Sequence, residues 1–380
     1  MAETHLKDMI IPEVFDNYVR NNSLKTNNLI SSGIVQNDEW LGGQLNQPGT
    51  RVTIPYINDL AGSPDNWTDD SDIQVNNLTS GSQVGMKFYQ AKAFGQTDLS
   101  TLMTGAPVQD QIASRFSFFW NTSDQAMLFS ILKGMFQNDD IANSKVLDLT
   151  AQSPTDSEFS AKGFIAALSL MGDQPENVLS SIAVNSATYA MMKSQNLIET
   201  IQPSNGGQAI NVYNGKQVVV DDDIPTEGTT KDSTTSVAYL FGTGAVRYST
   251  QMYGTQVVDE PLKQGGRESV VQKRIGCIHP LGMSVNPQWN PTKPNFPTPD
   301  DFSQKDAWIV PKDMDVKHVQ LVQYKFKLDP YFVLTKKAQN AVNKVQGTNN
   351  NGVQQPANNN GVQQPADSED ATRDKKNGNK

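Results

Sequence analysis

"VQDQIASRFSFFWNTSDQAMLFSILKGMF", residues 108 to 136, places Ile112, Phe116, Phe119, Trp120, Met127 and Ile131 at helical spacing, with Pro107 suited to the start of a helix. The reading is one helix of about seven or eight turns, far above the usual three. Beyond it, "EFSAKGFIAALSLM" (158 to 171) and "NSATYAMMKSQNLI" (185 to 198) predict two further helices, the second opened by a cap at Asn185 or Ser186. Short strands lie between and after them: "SSIAVN", "KQVVVDD" and "SVAYLFGTGAVRYST".

On the N-terminal side the text has a different character. "RVTIPYI" alternates, "AGSPDNWTDDSD" is a long turn, and "DIQVNNLTSGSQVGMKFYQAKAFGQTDL" returns with strand-like alternation, which describes a long two-stranded excursion. Residues 1 to 45 scatter Met9, Ile10, Ile11, Val14, Phe15 and Tyr18 among many Asn and Asp, as short helical turns on an extended arm would. Toward the C-terminus, residues 255 to 285 form two β-rich runs around a Gly265-Gly266 turn. "NPQWNPTKPNFPTPDD", with its five prolines, should run extended over a surface, and "VKHVQLVQYKFKL" is a late strand. "NNNGVQQPA" occurs twice in succession, at 349 to 357 and 358 to 366. Such a repeat has nothing to bury, so a disordered tail is expected from about Gly347. The fold class is α+β with separated helices and strands.

Composition narrows the function classes. The chain has 380 residues, 37% hydrophobic and 19% charged, with a net charge of -9. That is enough for a sizeable core in a folded body of roughly 340 residues. No cluster of Lys and Arg is built to neutralise neighbouring phosphates, so sequence-specific nucleic-acid reading is disfavoured. No stretch approaches the roughly 20 apolar residues of a membrane span, and the N-terminus lacks a signal-peptide core, so synthesis in a cytosol is expected. Cys277 is the single cysteine and forms no intrachain disulfide.

Candidate chemistry is sparse. Asp221, Asp222 and Asp223 follow three valines, and on an extended chain only Asp221 and Asp223 share a face. These two could hold one metal ion in a metal-dependent enzyme, but no nearby His or Glu completes a shell. The expectation is a strand that stops, its aspartates solvated. "TDDSD" (68 to 72) starts like a calcium loop, yet counting from Asp69 puts Gln74 where Gly belongs and Ser80 where a bidentate Glu belongs. Cys277 and His279 share a strand face, as packing requires as readily as nucleophilic work. His5, His279 and His318 are the only histidines and lie in three separate segments, with no spacing that completes a triad. "FGTGAVR" is a lone G-x-G and reads as a tight turn. No catalytic, cofactor-binding or metal-ligating residue is assigned, no cofactor is expected, and the chain is not read as an enzyme.

The order of these pieces resembles the major capsid protein of tailed phages, the Hong Kong 97 fold. The resemblance rests on the arm "DMIIPEVFDNYVRNNSLKTNNLISSGIV", the excursion opening "GTRVTIPYINDLAG", the helix pair leading to "YNGKQVVVDDDIP", and the end "DAWIVPKDMDVKHVQLVQY". It implies an N-terminal arm over 1–45, an extended loop over 46–98, the spine helix and peripheral domain over 99–154, and an axial domain over 155–250. Peripheral β-structure and a C-terminal strand would fill 251–335, with a tail over 336–380.

The implied function is structural: a subunit self-assembling into hexamers and pentamers of an icosahedral shell around double-stranded DNA, resident in the virion. Portal and decoration proteins are the implied partners. Because arm-like text begins within the first ten residues, where some relatives carry a propeptide, a separate scaffolding protein is implied too. Lys87 and Lys92 fall in the loop where some relatives carry a crosslinking Lys, but no partner Asn or assisting Glu matches, so crosslinks are not expected. A nanocompartment shell of the encapsulin kind is the alternative of the same fold. Association follows from the residues as well, since a long hairpin and arm need neighbours to pair their edges and cover their apolar side chains.

Overall fold

The structure, a computed structural model, describes residues 29, 32–60, 62–69, 72, 75–104, 108–173, 178–201, 210–228, 233–312 and 314–332. Most of the arm, Pro107 and the repeat-bearing tail lie outside the described residues.

The central helix, α3, runs Val108–Gln137 over 30 residues, about 45 Å at 1.5 Å per residue. Its two halves meet different partners. In the first half, Phe116 and Trp120 are buried with Val270, and Ile112 and Phe119 pack against them. Phe94 meets Phe116 and Phe119 edge-on, with centroids 5.2 and 5.5 Å apart. In the second half Met127, Leu128, Ile131, Leu132, Met135 and Phe136 are all buried. That half is enclosed on most sides, leaving only the narrow stripe of Ala126, Ser130, Lys133 and Gln137 toward the surface.

Among the described residues the strands form one eight-stranded, one four-stranded and two two-stranded sheets. The four-stranded sheet follows the order β1 (Val35–Asn37), β12 (Val246–Glu260), β13 (Arg267–Pro280), β4 (Phe88–Thr97). Its long hairpin β12–β13 turns at Gly265 and Gly266, whose φ values of 74° and 100° favour residues without a Cβ. The eight-stranded sheet follows β5 (Val146–Asp148), β16 (Leu321–Lys327), β11 (Thr235–Gly242), β6 (Leu179–Val184), β9 (Lys216–Val220), β8 (Ile210–Tyr213), β7 (Glu199–Ile201), with β10 (Thr226–Glu227) paired to β11. The late strand β16 therefore lies beside β11, antiparallel, inside the larger sheet.

Covering on both faces explains the near-continuous apolar text of β11. Tyr239 and Phe241 face α3, and Ala183, Val219 and Leu321 join that core. The alternate residues Ala238 and Leu240 face the opposite core with Ile182, Val218, Val322 and Tyr324, under helices α5 (Ala161–Ser169) and α6 (Ser186–Ser194). Both helices fall where the periodicity predicts them. Asn185 is the cap of α6, its Oδ1 accepting the Thr188 N–H at 2.7 Å.

Two expectations change. The proline-rich segment does more than cross a surface: Trp289 is buried in the main core, and the chain folds around Asp301. The backbone N–H and hydroxyl of both Thr292 and Thr298 donate to that carboxylate. Burial alone would raise the Asp301 pKa, but these hydrogen bonds bring it down to about 2. Secondly, the last residues of the arm region are built into the body. Leu29 and Ile34 are buried, β1 pairs in parallel with β12, and helix α1 (Glu39–Leu45) buries Leu41 and Leu45 with Val52 and Cys277.

A close approach to α3 is made at Gly134. A Cβ there would stand 2.9 Å from Trp308 Nε1 and still nearer the Phe302 carbonyl oxygen. That carbonyl accepts the Trp308 indole N–H at 2.9 Å, so neither group is free to retreat. In an exposed helix Gly→Ala gains about 1 kcal/mol, whereas overpacking a fixed site costs about 1–3 kcal/mol. Gly134→Ala is expected to lower stability, read as a reduced urea midpoint at unchanged m-value.

Candidate functional site

The aspartate run at the end of β9 is the first sequence candidate. As expected, Asp221 and Asp223 share a side, but what they converge on is an amide. Gln125 Nε2, from the middle of α3, donates to Asp221 Oδ2 and, at 3.0 Å, to Asp223 Oδ2. Asp221 Oδ1 also accepts the Asp223 N–H at 2.9 Å. Asp222 points the other way and accepts the Ser186 N–H at 3.0 Å, satisfying an orphan donor at the start of α6. The expectation of a solvated strand end is corrected here, since Asp221 is only 7% exposed. The run ties β9 to α3 and caps α6. Among the described residues, no group of three or more His, Cys, Asp or Glu side chains is placed to hold a metal ion. Of the calcium-like stretch, Asp70 and Ser71 lie outside the described residues.

Cys277 and His279 are both fully buried, under the strand pair β2 (Arg51–Ile57) and β3 (Ser80–Met86). A Cβ at Gly85 of β3 would lie 3.3 Å from Cys277 Sγ and 3.4 Å from His279 Nδ1. Burial pushes the thiol up to about 12 and the imidazole down to about 4. His279 Nε2 lies 3.0 Å from Gln83 Oε1, an acceptor, so Nε2 carries the proton, and Nδ1 has no hydrogen-bond partner among the described residues. His318 is exposed on the turn Val316–His318, and His5 lies outside the described residues. Lys87 is also buried and donates to the carbonyls of Leu45 and Gln47, at 3.3 and 2.7 Å, closing the end of α1. Desolvation lowers its pKa. Lys92 is exposed, its amine 5.5 Å over the Phe94 ring.

A second polar centre was missed by the sequence reading. Arg274 of β13 forks onto Asp124 of α3, Nη1 to Oδ2 at 2.9 Å and Nη2 to Oδ1 at 2.7 Å, with both side chains nearly fully buried. Tyr248 Oη donates to the same carboxylate at 2.9 Å, and Gln90 Oε1 accepts from Arg274 Nε at 2.9 Å. The guanidinium stacks 4.1 Å from the Trp120 ring. Burial pushes the Asp124 carboxyl up, and the attraction of Arg274 opposes it. A signal was present: Asp124 stands four residues after Trp120 and three before Met127, so an acid falls on the apolar face and needs a buried partner.

What remains for function is surface. The hairpin β2–β3 carries the connection 58–79, where Leu60 is 84%, Trp67 92% and Val75 90% exposed. Tyr253 at the middle of β12, and Val257 and Leu262 toward the turn of β12–β13, are exposed as well. Large apolar side chains grouped on two projecting hairpins mark interaction surfaces. Among the described residues, no helix is long and apolar enough to cross a membrane.

No protein-family profile matches the chain. The major capsid protein of Bacillus phage SPP1 is 28% identical over 330 residues, covering 86% of this chain and 99% of that protein. Among solved structures, the capsid of Ralstonia phage GP4 superposes with a TM-score of 0.52 at 12% identity, covering 78% of this chain and 87% of that one. The capsid asymmetric unit of cyanophage Pam1 gives 0.51 at 14% identity, covering 87% and 96%. The chain has the α+β capsid fold of the Hong Kong 97 type.

Asp221→Ala is expected to cost about 1–3 kcal/mol, because it leaves the Gln125 amide and the Asp223 N–H short of an acceptor in the interior. Asp222→Ala, which removes one exposed helix-end acceptor, should cost about 0.5–1 kcal/mol. Equal losses in urea denaturation would refute this division of roles.

His279 gives a pH signature. Its folded pKa lies below the ordinary value, so between pH 6.5 and about 4 the unfolded chain holds a proton the folded chain lacks. Stability is lost as pH falls through that window, by roughly 3 kcal/mol from this group when complete. His279→Gln should flatten that part of the stability profile relative to wild type.

Proposed function

We propose that this chain, a major capsid protein of a tailed phage, builds an icosahedral shell from hexamers and pentamers of itself around double-stranded DNA. The observation that carries the reading is the pairing of a two-sheet body, clamped on α3, with two projecting hairpins whose apolar side chains are uncovered in the single chain. The relative from phage SPP1, matched over 99% of its length, supports the same role. Subunits that meet head to tail close into rings, and rings of five and six close a shell. The net charge of -9 suits an inner surface that has to release packaged DNA.

In this reading the loop over 46–98, the spine helix and peripheral domain over 99–154, the axial domain over 155–250 and the peripheral structure over 251–335 take the parts the resemblance implies, with β16 contributing to the axial sheet and the end of the 1–45 arm joining the body. The subunit is made in the host cytoplasm and works with scaffolding, portal and decoration proteins. The nanocompartment alternative has no observation in its favour, and the two aspartates that a metal-dependent enzyme would need are both bonded to Gln125.

Deleting residues 62–72 tests the reading, because none of the described residues of this stretch joins a core. The deletion variant should keep its circular dichroism and lose its particles under negative-stain microscopy. An unfolded variant would place the loop in the core, and unchanged shells would remove it from assembly.

A further inference from the structure

Over strands β4, β13 and β12 of the four-stranded sheet lies a groove of about 470 Å³. Tyr89 and Ala91 of β4, Lys273 and Ile275 of β13, Tyr253 of β12 and Phe296 line it. Tyr89 and Phe296 meet edge-on at 5.8 Å, so the aromatic walls are held in place. Phe296 and Tyr253 are nevertheless 56% and 77% exposed, so nothing among the described residues fills the space between them. A groove of this size with apolar walls is built to take a large side chain.

The same chain carries a side chain of that kind. Trp67, on the connection between β2 and β3, is the most exposed of its tryptophans, and an indole left in water at 92% exposure forfeits the burial that such a side chain offers. The charges match as well. Between residues 58 and 79 the sequence has Asp59, Asp65, Asp69, Asp70 and Asp72 and no Lys, Arg or His. Against this, Lys273 lines the groove, and Lys293 stands on the turn where its carbonyl accepts the Phe296 N–H. An acidic tip bearing an aromatic knob thus faces an aromatic slot with a basic rim.

We propose that the groove is the receptor for Trp67 of a second copy of this chain, with the aspartates around the knob set against Lys273 and Lys293. Knob and slot are different surfaces of one chain, so the contact is heterologous and propagates head to tail, as ring closure requires. This inference rests on the capsid reading and specifies which side chains hold neighbouring subunits together.

Cys277 is the only native cysteine and is buried, so the double variant Trp67→Cys/Tyr253→Cys reports the contact directly. Oxidised particles of the full chain should give a ladder of covalent oligomers on a non-reducing gel, and either single variant should stay monomeric. Trp67→Ala should reduce particle yield at least tenfold with folding unchanged, and Trp67→Phe should restore most of it. Lys273→Glu should weaken assembly, and combining it with Asp65→Lys should recover yield. Wild-type shells whose double-variant subunits remain uncrosslinked overturn the groove assignment and leave the capsid reading intact. A wild type that forms no shell, with or without a scaffolding protein, overturns both.

Discussion

Asp124 and Gln125 are neighbours on α3, and each holds a different half of the molecule. Successive residues on a helix point about 100° apart, so one turn of α3 can address two sheets at once. Asp124 binds Arg274 and Tyr248 on the smaller sheet, while Gln125 binds Asp221 and Asp223 at the end of β9 in the larger one. Apolar contacts on either side of this turn supply burial, but burial is non-directional and tolerates sliding. The polar pairs do not, because a carboxylate or guanidinium buried without its partner costs about 3–5 kcal/mol. They fix where along the helix each sheet sits.

That clamp bears on assembly. A shell is built from one subunit repeated many times, so an error in the angle between its halves would be repeated at every contact. Locking the halves onto one helix leaves adjustment to the elements outside the cores, chiefly the connection between β2 and β3. Its exposed apolar side chains Leu60, Trp67 and Val75 join none of the cores, as side chains that await a neighbour would. The subunit is therefore stable in its body and unsatisfied at its hairpins.

The buried titratable groups follow the same division of labour. His279, Cys277 and Lys87 sit together beneath the root of β2–β3, each shifted toward its neutral form by desolvation. Such a set resembles reactive chemistry when read as residue types. In the structure Lys87 secures the end of α1 and His279 bonds Gln83 of β3, so these groups anchor the base of a projecting hairpin.

The sequence by itself determined the elements whose signal is local. The period of Phe116, Trp120 and Met127 defines α3, the cap at Asn185 starts α6, and Gly265-Gly266 turns the long hairpin. Each depends on residues a few positions apart, which is the range over which backbone geometry acts. The long turn of the loop was legible too, because "AGSPDNWTDDSD" is dense in the residues that turns favour. Tertiary structure alone decided which distant residues meet. Arg274 lies 150 positions from Asp124, and Gln125 lies 96 from Asp221. Nothing in the text around "VVVDDD" distinguishes aspartates facing water from aspartates facing a glutamine. The charge pattern fixes only that these carboxylates need partners, and packing chose between solvent, an ion and an amide.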